Sequence, residues 1–112
     1  MITIDYVLDK PEVLHVGADW ERLYTIVGKN EDFTLDDASA VCKVRDTKDN
    51  LLCTAFCSIN GNQVLVQIGY EETLKINRQV RKGKYDVFIQ RDGKSYKVCM
   101  GEIEIIHDVS MH

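Results

Sequence analysis

The chain has 112 residues, of which 45% are hydrophobic and 29% charged, with a formal net charge of −4. That length suits one domain able to bury a core without disulfides or metal, and no apolar run approaches the ~20 residues of a membrane span. The acidic balance excludes the basic surface by which nucleic-acid binders displace counterions.

The opening MITIDYVLDK has neither a basic n-region nor an apolar h-region, so no signal peptide is expected and a cytosolic start is. Ile2, Ile4, Tyr6 and Leu8 alternate with Thr3, Asp5 and Val7, which predicts a strand ended or kinked at Pro11. Residues 1–15 read as an edge strand or an N-terminal arm, closing the domain's own sheet or adding to a neighbour's. Trp20 to Val27 predicts a second strand, bracketed by Gly17 and Gly28. Its buried face stays open, because Trp20, Tyr24 and Ile26 compete with Leu23, Thr25 and Val27. Lys29 to Asp32 reads as a polar turn.

Ala38, Ala40, Cys42 and Val44 line one face of a third strand, and Asp46 to Asn50 is a loop. Leu51 to Ile59 predicts a fourth strand, and Asn60-Gly61 signals a type I′ turn. A two-residue loop there sets Cys57 against Val64, Ala55 against Val66 and Phe56 against Leu65. The same register extended backwards sets Val44 opposite Cys53, so three consecutive strands share one apolar face. Glu71 to Ile76 reads as one helical turn carrying the chain between sheets.

From Lys82 to Ile106 the pattern is clearest. Asp92-Gly93 is a second type I′ signal between alternating runs, because this pair tolerates positive φ at both turn positions. It pairs Ile89 with Tyr96, Val87 with Val98 and Tyr85 with Met100, and leaves Phe88 opposite Lys97. The buried parity of the last strand flips near Gly101, where a β-bulge is expected. About seven strands with one short helical turn predict an all-β, antiparallel, immunoglobulin-like sandwich spanning 1–112 as a single domain. Tyr85, just inside the penultimate strand, occupies the place of a tyrosine corner.

These elements resemble a group of small tailed-phage virion proteins. Gly17-Ala18-Asp19 is similar to an early Gly-Asp element, and Phe33 to Ala38 followed by Val44-Arg45-Asp46 to an Asp-Leu-Thr-Gly-Ala strand motif. Gly83-Lys84-Tyr85-Asp86-Val87, Asp92-Gly93 and Gly101-Glu102-Ile103 resemble the closing hairpin, with a departure at Asp37, where the group has glycine. The likeness runs over residues 16 to 109. It implies an immunoglobulin-like structural component of a virion, assembled in the host cytoplasm. The component would be a head decoration or head-fibre anchor, with a tail or baseplate accessory protein as the alternative. The implied partners are capsid or tail subunits and further copies of the chain.

No residue set carries chemistry. His15, His107 and His112 are scattered, and the four cysteines form no Cys-x-x-Cys pair. Cys53 and Cys57 in one strand would stand ~13 Å apart, too far for a disulfide or a shared metal. Asp36-Asp37, Glu31-Asp32 and Glu71-Glu72 lack calcium-loop spacing and read as solvated carboxylates or caps. No catalytic residue, metal or cofactor is therefore expected. A cupin-like enzyme would need a histidine cluster that the sequence lacks, and a carbohydrate-binding sandwich would use Trp20 and Tyr24.

The candidate site is instead a protein interface. Phe56, Leu65, Val41 and Phe88 are apolar residues on faces assigned to solvent, where a partner could cover them. Ile2 and Ile4 belong to the first strand as a possible strand-addition segment. Arg78 and Arg81 head the one basic cluster, with Lys82 and Lys84, which reads as a solvated loop or a dock for an acidic neighbour.

Overall fold

Among the residues that the computed structural model describes, 2–4, 6–28 and 33–109, ten strands and one helical turn follow one another. They are β1 (Ile2–Thr3), β2 (Leu8–Asp9), β3 (Glu12–His15), β4 (Trp20–Val27), β5 (Ser39–Asp46), β6 (Leu51–Thr54), β7 (Phe56–Asn60), β8 (Gln63–Ile68), α1 (Tyr70–Thr73), β9 (Lys82–Arg91) and β10 (Lys94–Ile106). The polar turn expected at 29–32 lies outside the described residues.

Two sheets form a sandwich. One has the order β1-β4-β8-β7, and the other has β2-β10-β9-β5-β6 with β3 also beside β10. Labelled in chain order, β4, β8 and β7 take the places of strands B, E and D, and β5, β9 and β10 those of C, F and G. This is the immunoglobulin arrangement. The fold is an all-β, immunoglobulin-like sandwich.

The excess over seven strands has two sources. The N-terminal run breaks into β1, β2 and β3. Its pieces pair parallel, β1 with β4 and both β2 and β3 with β10, where antiparallel pairing was expected. Leu8 meets Cys99 and Glu12 meets Ile103, so β2 and β3 keep one register and form a single edge strand interrupted at Lys10-Pro11. An edge tolerates the proline, which has no N–H to donate. This segment therefore completes the chain's own sheet.

The second source is the predicted strand 51–59, which the structure divides. Residues 51–54 pair with β5 in one sheet, Ala55 donates its N–H to the Cys42 carbonyl at 2.9 Å, and residues 56–60 pair with β8 in the other. The Val44–Cys53 pairing holds. The single sheet expected from β5 through β8 does not, because the chain changes layers at Ala55. α1 starts one residue early, at Tyr70, and does carry the chain from one sheet to the other.

Both glycine turns form, one of them displaced. Asp92 (φ 53°) and Gly93 (φ 74°) close Arg91 on Lys94, as type I′ requires. At the other, Asn60 pairs with Gln63, so the turn residues are Gly61 and Asn62. Only Gly61 has positive φ, 63°, the sign pattern of type II′. Cys57 consequently meets Val66, and Phe56 meets Gln67 where Leu65 was expected. The bulge in β10 also moves. Register shifts between Lys97 and Cys99, so Cys99 faces Val87 and Gly101 faces Tyr85, replacing the expected Val98 and Met100. Both Val98 and Cys99 are thereby buried.

The core lies between the layers: Trp20, Tyr24, Ile26, Val64, Val66 and Ile68 against Leu14, Cys42, Val44, Tyr85, Val87, Ile89 and Ile103. β4 thus buries its Trp20, Tyr24 and Ile26 face. The Trp20 ring meets Tyr85 edge-on at 6.3 Å and carries the Arg22 guanidinium at 4.6 Å. Arg22 also donates to the buried Glu12 carboxylate at 3.0 Å, which joins the two layers at their N-terminal edge.

Tyr85 is not a tyrosine corner. Its hydroxyl donates to the Lys10 carbonyl at 2.6 Å, reaching the edge strand rather than its own corner. Gly101 makes that approach possible, since a Cβ there would stand 2.1 Å from the Lys10 oxygen. The 16–19 corner is tied to α1. The Gly17 N–H (φ 91°) donates to Thr73 Oγ1 at 3.0 Å, and the Tyr70 N–H to Asp19 Oδ1 at 2.7 Å.

Candidate contact surfaces

The two layers turn different chemistry outwards. From Asn50 to Tyr70 the chain has no Asp, Glu, Lys, Arg or His, although 29% of all residues are charged. That run supplies β7 and β8. Their outward side chains form rows with those of β4: Glu21, Gln67 and Phe56; Leu23, Leu65 and Ser58; Thr25, Gln63 and Asn60. Leu23 is 60% exposed and Phe56 68%. Leu65 sits directly across from Leu23 and diagonally from Phe56, so the three make one apolar patch spanning three strands. Glu21, the one charge in these rows, accepts a hydrogen bond from the Gln67 amide at 3.0 Å.

The outer face of the β9 sheet is charged and self-compensated. Lys43 meets Asp86, Lys84 meets Glu102, and Lys82 meets Glu104, while Arg45 stands opposite the like-charged Lys84. Lys84 pairs with Asp49, which holds that carboxyl below its usual range. Val41 and Phe88 do stand opposite each other here, but both are half-buried. Lys97 lies over the Phe88 ring at 5.3 Å, with Asp86 4.0 Å from its Nζ. A groove of about 630 Å³ runs between Pro11–Val13 and Lys82–Lys84, walled by Lys82, Lys84, Glu102 and Glu104.

The residues singled out from sequence therefore fall in four places. Phe56 and Leu65 share the uncharged face, and Val41 and Phe88 sit on the charged one. Ile2 is 3% exposed and part of the core, and Ile4 is half-buried against it, so neither is presented to a neighbour. The reason is β1's pairing with β4, which turns Ile2 inwards beside Ile26. Arg78 donates to the Asp108 carbonyl at 2.8 Å, which ties the loop to the segment after β10, while Arg81 is exposed. Leu23 was missed; the charge-free run that flanks it was visible in the sequence.

Burial raises the thiol pKa of Cys42, Cys53, Cys57 and Cys99. Tyr24 and Tyr85 are raised as well, burial again leading. No group of three metal-ligating side chains occurs among the described residues. His15 is exposed on β3, the His107 ring nitrogen Nε2 lies 2.7 Å from the Val80 carbonyl, and His112 lies outside the described residues. Trp20 is 3% exposed and Tyr24 6%, so the sugar-stacking platform that they could have formed is instead the core. No described helix is long and apolar enough to cross a membrane.

No protein-family profile matches the chain, and no curated protein matches it. Among solved structures, the N-terminal domain of phage TP901-1 ORF48 superposes with a TM-score of 0.58 at 6% identity, over 94% of this chain and 93% of that one. A chain of the ZIG-8–RIG-5 IG1–IG1 heterodimer gives 0.48 at 10% identity, over 88% and 82%. At these identities the first likeness is one of fold.

Proposed function

We propose that the chain is a non-enzymatic structural component of a tailed-phage virion, a head decoration or head-fibre anchor that works through protein–protein contacts. The observation that carries this reading is the near end-to-end likeness of fold to a phage domain, which agrees with the turn-residue pattern of phage virion proteins. The layout of the molecule supports it. The interior is closed, the thiols are held neutral, and Leu23, Leu65 and Phe56 form an apolar patch across three strands beside a charge-free run. Its partners are capsid or tail subunits.

The test is to tag the chain, purify particles and separate heads from tails. The reading expects the tag in the head fraction at many copies per particle. Recovery only with tails would replace the head role by a tail or baseplate role. Absence from particles would overturn the virion assignment.

A further inference from the structure

We infer that the outer face of the β4 sheet docks against the same face of a second copy of this chain, sheet on sheet, about a twofold axis. Charge selects this face for a contact between like copies. The chain carries a net charge of −4, so two copies repel over most of their surfaces. The β7–β8 half of this face is free of charge, and Glu21 at its border is already engaged by Gln67. Partners that recognise by charge find nothing to pair with here.

The polar residues on the face are self-complementary. Gln67, Gln63, Asn60, Ser58 and Thr25 each carry both donor and acceptor, so the face can meet its own copy without stranding a polar group. The apolar centre suits a two-fold contact too. Leu23, Leu65 and Phe56 form an uncharged core with amides and hydroxyls at the rim, which is the anatomy of an interface. Packed sheets stand about 10 Å apart, close enough for Leu23 and Phe56 to interdigitate with their mates.

Size fixes the strength. The face offers three rows on three strands, well below the roughly 20–30 residues a side of a standard interface. The contact is therefore weak between free chains and gains strength where many copies are held side by side. It does not depend on the virion reading, since it follows from this chain's own surface.

The experiment is sedimentation and amide chemical-shift titration of the full chain up to about 1 mM, a range that reveals a Kd of hundreds of micromolar. Self-association is expected, with shifts confined to β4, β7 and β8. Leu23→Lys, at an exposed position, should weaken association at least tenfold with the melting temperature unchanged. Lys43→Glu, on the opposite layer, should leave it intact. A chain that stays monomeric throughout overturns the inference. So does association that Leu23→Lys leaves unchanged, or shifts that map to the β9 sheet.

Discussion

The Tyr85 hydroxyl donates to the carbonyl of Lys10 at 2.6 Å, a bond joining residues far apart in sequence and fixing the edge strand to the core. Tyr85 is buried, so removing its oxygen leaves a shielded carbonyl without its donor. Tyr85→Phe should lower stability by about 1–2 kcal/mol in urea unfolding. An unchanged midpoint would mean that Lys10 finds another donor.

Gly101 serves the same contact from below. A methyl group there would stand 2.1 Å from the Lys10 oxygen, a backbone atom that cannot move alone. Gly101→Ala should therefore cost about 3 kcal/mol. It should also speed hydrogen exchange at the Lys10 amide, which donates to the Met100 carbonyl at 2.8 Å. Retained protection at Lys10 would show that β2 tolerates the displacement.

Asp37 has a φ of 61°, in the left-handed region that favours glycine. It sits in a turn closed by the Ala38 N–H donating to the Leu35 carbonyl at 3.0 Å. Glycine adopts that φ without strain, and the relief exceeds the added chain entropy by a small margin. Asp37→Gly should raise stability by about 0.5 kcal/mol, read as a higher melting temperature. A loss would show that the aspartate side chain contributes more than its backbone costs.

Stability should fall in alkali. Burial, helped by nearby Glu72, raises the Cys53 thiol from 9.0 to about 11, and burial raises Cys42 further. A raised folded-state pKa gives stability that is whole below the unfolded value. From there it is lost progressively up to the folded one. Urea midpoints should hold to pH 9, decline towards pH 11, and decline less in Cys53→Ala. Equal slopes for the two proteins would remove Cys53 from the account.

The legible parts of the fold were those where local geometry leaves one solution. Asp92-Gly93 takes positive φ at both positions, so its hairpin starts in the predicted register. At Gly61 two solutions compete, because asparagine flanks the glycine on both sides. Moving the turn by one residue shifts the pairing by two, which preserves every inward and outward assignment. Hydrophobic alternation cannot detect that shift. Nor can it detect the change of layer at Ala55, since β6 and β7 both alternate normally. The parity flip between Met100 and Ile103 points to a bulge at Gly101. Val98 takes it, and Gly101 is needed for the Lys10 approach.

The candidate surface was half visible. Phe56 and Leu65 stood out as apolar residues facing water, but their true neighbour, Leu23, was hidden by the two competing faces of β4. Only the burial of Trp20 beside Tyr85 decides which face looks inwards. Ile2 misled for a related reason. A two-residue strand has too short an alternation to show which way it points, and its parallel pairing with β4 turns it into the core.

The central claim is that the outer face of the β4 sheet, centred on Leu23, Leu65 and Phe56, is the working surface of the sandwich. The most direct measurement is competitive incorporation into particles of tagged wild type against the double variant Leu23→Lys, Phe56→Asp, with Lys43→Glu as the control on the opposite layer. The account predicts that the double variant folds and is excluded while the control enters at the wild-type level. Entry of the double variant at the wild-type copy number would contradict it.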